Sequence, residues 1–186
     1  MTDHNTENPW VEGAKTLALS AVLAFGVRTF VAEARYIPST SMEPTLEVND
    51  RLLIEKVGYR FTSPERGDIV VFSPTDELKR QGYDEAFIKR IIGLPGETVK
   101  VAGGVVYVDG EPLSEHYIAD EAEYDLAPAT VPEDHYLVLG DNRNNSYDSH
   151  YWGFLPRKNI IGRAAVRFWP LDRLSVIDDP YDQESP

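Results

Sequence analysis

Two residues, Ser41 and Lys89, are of types that together carry out nucleophilic catalysis without help from histidine or a metal ion. Ser41 lies in IPSTSMEPTL, residues 37–46, a hydroxyl-rich run between two prolines. Lys89 lies in AFIKRIIGL. On a strand, alternation sets Lys89 beside Phe87 and Ile91 and turns Arg90 to the opposite side. A lysine with its ordinary pKa of about 10.4 is no base at neutral pH, but apolar surroundings disfavour the ammonium form and lower that value by several units. The neutral amine then accepts a proton from a serine hydroxyl. Ser-Lys pairing is an alternative to the Ser-His-Asp triad. Each residue also has a plainer reading: Ser41 as a turn serine bonded to nearby backbone, and Lys89 as an edge-strand lysine reaching water.

Two further stretches bear on this chemistry. The Ser39 hydroxyl and the Ser41 amide N–H could together hold an oxyanion, where each donor meets the charge that develops in the transition state. The stretch GDNRNNSYDSHYWGFLP, residues 140–156, is too long and too rich in hydrogen-bonding side chains for an ordinary hairpin. It reads either as a self-bonded Asx-rich loop or as a support, with Ser146 orienting the lysine amine and Asp148 fixing the loop through charge-assisted bonds.

The elements that must position these residues are mostly strands. Val, Ile and Tyr runs bounded by turn residues recur after Arg35: DRLLIEKVGYRF, GDIVVFSP, AFIKRIIGLPGETVKV, GGVVYVDGEPL, HYLVLGDN and IIGRAAVRFWPL. Asp109-Gly110 predicts a type I′ hairpin, which needs positive φ at both central residues. Leu94-Pro95-Gly96 predicts a turn, with Pro fixing φ and Gly supplying the positive value. Residues 114–133 are acidic and lack alternation, and read as an insertion or long surface loop. With 186 residues and 42% hydrophobic content, the chain forms one core with room for a small inserted lobe. The net charge of −13 excludes a general nucleic-acid binder. Cysteine is absent, and His4, His116, His135 and His150 lie far apart, so neither a metal nor another cofactor is expected.

From Trp10 to Ala34 the chain is apolar, with a charge-free centre, Thr16 to Val27, of 12 residues. That is short of the about 20 residues a spanning helix needs. A cleaved export signal fits the Ala32-Glu33-Ala34 ending, but Asp3, Glu7 and Glu12 against Lys15 give the preceding region the wrong charge. A buried amphipathic helix would need a polar face, which LALSAVLAFGV lacks. A membrane anchor running on to Ala34 sets Arg28 near its end, where the long stem can snorkel, with Trp10 and Phe30 towards the two interfaces. Lys15 on one side against Arg28 and Arg35 on the other mildly favours, by the positive-inside count, the wrong side for an exported domain, and charge alone does not settle the orientation.

Taken together and in order, IPSTSMEPTL, FIKRIIGLPGETV and GDNRNNSYDSHYWGFLP, behind an apolar N-terminal segment, resemble the bacterial type I signal peptidases from about Trp10 to Pro170. The resemblance implies a mainly β fold, an antiparallel-sheet architecture shared with self-cleaving repressor proteases, behind one N-terminal transmembrane helix. By it, Ser41 is the nucleophile and Lys89 the general base. Ser39 and Ser41 form the oxyanion hole, Ser146 hydrogen-bonds the lysine and Asp148 supports that loop. Shallow pockets for small side chains would draw on Ile37, Pro38, Met42, Leu46, Phe87 and Ile88, rejecting larger groups by overlap. The implied partners are signal-peptide-bearing precursors and membrane lipid, with no metal and no nucleic acid. The implied layout is a cytoplasmic tail at 1–10, an anchor helix at 11–34, an extracytoplasmic catalytic domain at 35–178 with a small lobe at about 102–133, and a flexible tail at 179–186, in the plasma membrane. Many members carry arginine where this chain has His150, which would make the pair with Asp148 weaker at neutral pH and stronger once protonated.

Two other readings compete. A self-cleaving Ser-Lys repressor would carry an N-terminal DNA-binding helical domain, in place of which this chain has an apolar segment. A membrane-tethered β-domain that only binds extended peptides would keep that binding after Ser41→Ala.

Overall fold

The computed structural model describes residues 9–177, 180 and 181, and only the backbone of residues 9 and 27–30. The expected N-terminal tail up to residue 8, the Arg28 and Phe30 side chains, and tail residues 179 and 182–186 lie outside that description. The chain opens with helix α1 (Pro9–Phe30) and passes through Val31 alone into strand β1 (Ala32–Tyr36). There follow β2 (Arg51–Glu55), β3 (Ile69–Phe72), the short helix α2 (Asp76–Arg80), β4 (Phe87–Gly93), β5 (Thr98–Ala102), β6 (Val105–Val108), β7 (Glu111–Pro112), β8 (Leu126–Thr130) and β9 (His135–Leu139). The single-turn helix α3 (Ser149–Trp152), β10 (Leu155–Pro156), β11 (Ile160–Trp169) and β12 (Ser175–Val176) complete the sequence of elements.

The fold is mainly β. One eight-stranded sheet runs β1-β2-β11-β3-β4-β9-β10, with β12 added to β11, and a four-stranded sheet runs β7-β6-β5-β8. All pairings are antiparallel. Val-, Ile- and Phe-rich segments form the central strands because β-branched and aromatic side chains pack well on a pleated, buried surface. Opposite faces of the β3–β4 pair feed different clusters. Ile69, Val71 and Ile88 pack with Ile37, Met42, Leu46 and Ile54, while Val70, Phe72 and Ile91 pack with Val138, Trp152 and Leu155. A third cluster, around Val99, Val106, Tyr117 and Leu139, joins the two sheets.

Asp109 and Gly110 both have positive φ, at 50° and 92°, as a type I′ turn requires. Gly96 has φ of 87°, and Glu97 N–H closes the turn on Leu94 C=O. Two expectations are corrected. The helix ends at Phe30 rather than Ala34, because residues 32–34 pair with Glu55, Ile54 and Leu53 of β2. Residues 114–133 are not a plain surface loop: β8 pairs with β5, and Tyr117, Ala122 and Val131 are buried. The small sheet therefore spans residues 98–130.

Among the described residues no helix is long and apolar enough to cross a membrane. The apolar side chains of α1 nevertheless stand open to solvent on every side, with Trp10, Leu17 and Phe25 at 87%, 74% and 70% exposure. The outer face of the adjoining sheet is similar. Register sets Tyr36 opposite Arg51 and Arg51 opposite Trp169, with Leu53 opposite Ala34 and Val166, and Val166 opposite Val176. Of these, Tyr36, Leu53, Trp169 and Val176 are exposed.

Candidate active site

The loop between β1 and β2 is held rigid from below. Ile37, Met42 and Leu46 sink into the core beneath it. Ile37 N–H donates to Asp50 C=O at 2.9 Å, and its own carbonyl accepts from Asn49 N–H at 2.8 Å. A turn closed by Glu43 N–H on Thr40 C=O leaves Ser41 at its shoulder, 8% exposed. Ser39 Oγ lies 3.4 Å from Ser41 Oγ.

Lys89 comes from the middle of β4, opposite Val70 of β3, on the face that also carries Phe87, Ile91 and Phe72. It is 3% exposed, and its Nζ donates to Ser41 Oγ at 2.7 Å. Burial draws its pKa down from 10.5 to about 8, against the carboxylates of Asp148 and Asp141, which favour the charged form. An amine so placed is substantially neutral at mildly alkaline pH, and the same contact then lets the hydroxyl donate to the nitrogen lone pair.

The polar loop after β9 closes over both groups. Asn142 N–H donates to Ser41 C=O at 3.2 Å, Asn142 Nδ2 to Thr40 C=O at 3.2 Å, and Asn145 Nδ2 to Thr40 Oγ1 at 2.8 Å. Asp148 is fully buried. It accepts from Gly140 N–H at 2.9 Å, caps α3 through His150 N–H, and contacts His150 Nδ1 at 2.7 Å. The His150 ring lies between those of Tyr124 and Tyr151. Ser146 is buried on the shared cleft, but its Oγ makes no hydrogen bond among the described residues, so the expected bond to Lys89 is not formed here.

Gly140 is needed for close approach. A Cβ there would lie 2.2 Å from Ser146 Oγ and 2.4 Å from Ser41 C=O. Gly140→Ala must therefore push the two loops apart, and displacements near 1 Å at a reacting pair reduce rates by about 10²-fold. If Ser41 and Lys89 act as nucleophile and base, that loss in turnover, set beside a thermal melt showing a folded protein, is the expected result; an unchanged rate would contradict it.

A cleft of about 570 Å³ opens at this point, walled by residues 38–41, 87–89 and 144–147 together with Tyr151. Of the expected pocket residues, Pro38, Phe87 and Ile88 line it. Ile37, Met42 and Leu46, at 2%, 0% and 0% exposure, lie beneath it instead, packed with Ile88.

Two buried ion pairs behind the site were not singled out from the sequence. Arg90, on the face of β4 opposite Lys89, forks onto Asp141 with Nε at 2.8 Å and Nη2 at 2.6 Å, and its Nη1 donates to Gly67 C=O. Thr45 Oγ1 donates to the same carboxylate at 2.6 Å, tying it to the Ser41 loop. Arg143 forks onto Glu115 at 2.8 and 2.6 Å and donates through Nε to Gly140 C=O. The available signal was alternation itself: Arg90 had to point into the opposite side of a strand whose neighbours are apolar, and a buried guanidinium requires a carboxylate. Among the described residues no three His, Asp or Glu side chains gather as a metal site.

Comparison with known proteins adds the following. The family model described as signal peptidase, peptidase S26, matches residues 10–169. Signal peptidase I of Leptolyngbya laminosa is 63% identical over 176 residues, covering 94% of this chain and 87% of that protein. Signal peptidase I of Bacillus licheniformis is 33% identical over 185 residues, covering 94% and 96%. Thylakoidal processing peptidase 1 of Arabidopsis thaliana, chloroplastic, is 41% identical over 169 residues, covering 88% of this chain and 50% of that protein.

Proposed function

The chain belongs to the signal peptidase family, peptidase S26, and from that premise we propose that Ser41 and Lys89 form the catalytic dyad of a membrane-anchored enzyme that removes signal peptides from exported precursors. As a type I signal peptidase it is a serine endopeptidase. The observation that carries the dyad is the 2.7 Å contact between a buried lysine amine and a serine hydroxyl at the floor of an open cleft.

The chemistry follows from that contact. Neutral Lys89 takes the Ser41 proton as Oγ attacks the scissile carbonyl, and the developing oxyanion is met by the Ser39 hydroxyl and the Ser41 N–H. The lysine returns the proton to the leaving amine. It then takes one from water, whose oxygen attacks the acyl-enzyme, and restores it to Ser41 as the ester opens. Asp148 keeps the 140–148 loop in place, and Ser146 orients the amine when its hydroxyl turns to Lys89. Small residues before the cut, of the Ala-x-Ala kind, suit a cleft bounded by Pro38, Phe87 and Ile88, while Ile37, Met42 and Leu46 back its walls and limit its depth.

In this reading helix α1, 22 residues long but short of the apolar content of an ordinary spanning helix, serves as the single membrane anchor. Its apolar side chains surround the axis, so it has no polar face with which to lie flat on a headgroup layer. The exposed apolar face of β1, β2, β11 and β12, which continues from α1, suits contact with lipid. With the N-terminus in the cytoplasm, the catalytic domain lies outside, where exported precursors emerge.

The test is cleavage of a peptide carrying an Ala-x-Ala export site by detergent-solubilised protein. Wild type cuts after the final alanine, and Ser41→Ala and Lys89→Ala both fail to cut. Because Lys89 loses its proton at about pH 8, kcat/KM rises about tenfold per pH unit below that value and levels off above it. Cutting by Lys89→Ala at the wild-type rate would remove the dyad. Peptide binding without cutting by wild type would favour the binding module.

A further inference from the structure

The C-terminal end of the chain reaches the back of this site. Tyr181 lies 12 residues beyond the stretch that the family model matches, yet it packs on the cluster joining the two sheets. Its hydroxyl is 3.0 Å from the Tyr117 hydroxyl, with the rings edge to face at 6.3 Å. The Tyr117 hydroxyl also donates to Glu115 at 2.7 Å, and the Arg90 guanidinium lies over the Tyr117 ring at 4.1 Å. Arg90 in turn forks onto Asp141, which holds Thr45 of the nucleophile loop. An unbroken series of contacts thus joins the tail to both catalytic segments.

We propose that Tyr181 is a positioning residue for the dyad, acting through Tyr117, which holds Arg90 against Asp141 behind the strand that carries Lys89. This rests on the Ser41–Lys89 reading and extends it to a residue outside the shared family stretch. The physical step is electrostatic. Asp148 and Asp141 both favour the protonated form of Lys89, and Arg90 offsets the charge of Asp141. When the Tyr117 ring shifts off Arg90, the fork loosens, the Asp141 carboxylate is less well compensated, and Lys89 holds its proton to higher pH. Among the described residues, other charged and titratable groups around the series include Glu115 and Arg143 at Tyr117, His116 against the Tyr117 ring, Arg66 and Glu115 near Tyr181, Tyr124 beside Arg143, and His150 on Asp148, which faces Lys89. Tyr117 and Tyr181 remain neutral phenols, because burial raises the pKa of each.

The experiment compares wild type, Tyr181→Ala, Tyr181→Phe and Tyr117→Phe as full chains in detergent. The first readout is the pH profile of Ala-x-Ala peptide cleavage, and the second is amide hydrogen exchange at residues 140–145, which needs no substrate. Tyr181→Ala is expected to lower kcat about fivefold at pH 7 with KM within about twofold. It also moves the acid limb of the profile to higher pH by about half a unit and speeds exchange in the loop. Tyr181→Phe, which keeps the packing and loses one hydroxyl contact, gives a smaller change in the same direction. Tyr117→Phe, which loses both hydroxyl contacts that hold the ring against Arg90, also moves the profile to higher pH. Superimposable profiles and unchanged exchange in Tyr181→Ala overturn the proposal. If wild type fails to cut while Tyr181→Ala still loosens the loop, the tail contact stands and the enzymatic reading fails.

Discussion

Lys89→Met is expected to yield a protein that cuts no peptide and yet unfolds at a higher temperature than wild type at pH 7. The two effects share one cause. In the proposed dyad the amine must be neutral to act as a base; burial lets it lose its proton at lower pH, and the same burial disfavours folding whenever the amine carries a proton. Its pKa is 10.5 in the unfolded chain and about 8 in the native one. Below about pH 8 both states hold the proton and the native state bears the full penalty, worth about 3 kcal/mol. Between about 8 and 10.5 the unfolded chain holds a proton that the native state has released, so wild-type stability climbs with pH. Above that window neither state is charged. Methionine fills the same space without a charge, so its stabilising effect is largest near neutral pH and fades through the window. Melting curves at pH 7 and pH 10 check this: a variant less stable than wild type at pH 7 would show that Lys89 is not held under strain by its surroundings.

The second large effect is expected from Asp141→Ala. Asp141 is fully buried and answers a guanidinium that is only 2% exposed. Burial works against the Arg90 cation, but the hydrogen bonds it donates to Asp141 hold its proton more firmly than usual. Removing the carboxylate leaves a buried, always-charged group without its partner, which costs about 3–5 kcal/mol. It also releases Thr45 and so loosens the Ser41 loop, and activity falls with stability. Replacing both partners, as in Arg90→Met with Asp141→Leu, restores much of the lost stability, because neither charge then remains buried. Urea denaturation of the two single variants and the double variant measures the coupling. A loss below about 1 kcal/mol for Asp141→Ala would place the pair in the range of solvent-exposed ion pairs.

What could be read in advance was local. Alternation along FIKRIIG set Lys89 and Arg90 on opposite faces, and the turn chemistry of Asp109-Gly110 and Leu94-Pro95-Gly96 needed no knowledge of the rest of the chain. What could not be read was long-range. Glu115 looked like one more acid in a solvated loop because its partner, Arg143, is 28 residues away, and only folding brings the two together out of water. Ala32–Ala34 continued the helix by composition, but composition is a weak guide where a neighbouring strand offers a ladder. The Ser146 hydroxyl was expected on Lys89 and is not there in this structure: pattern places a residue near a site, while the rotamer decides what its hydroxyl meets. Of the six residues expected to form the pockets, three line the cleft and three lie under it, because the apolar character that marks a pocket wall also marks a core position.

In the large sheet, β11 lies between β2 and β3. The hairpin of β1 and β2, which frames the loop bearing Ser41, has no place in that sheet until the chain has been made as far as Trp169. Asn142 and Asn145, which latch the same loop, are also late in synthesis. An emerging chain therefore carries its serine, and from about the middle of synthesis its lysine as well, before the loop that bears Ser41 is seated. Seating of the Ser41 loop against Lys89 thus waits for the last long strand, which makes the assembly of this cleft one of the latest steps in folding.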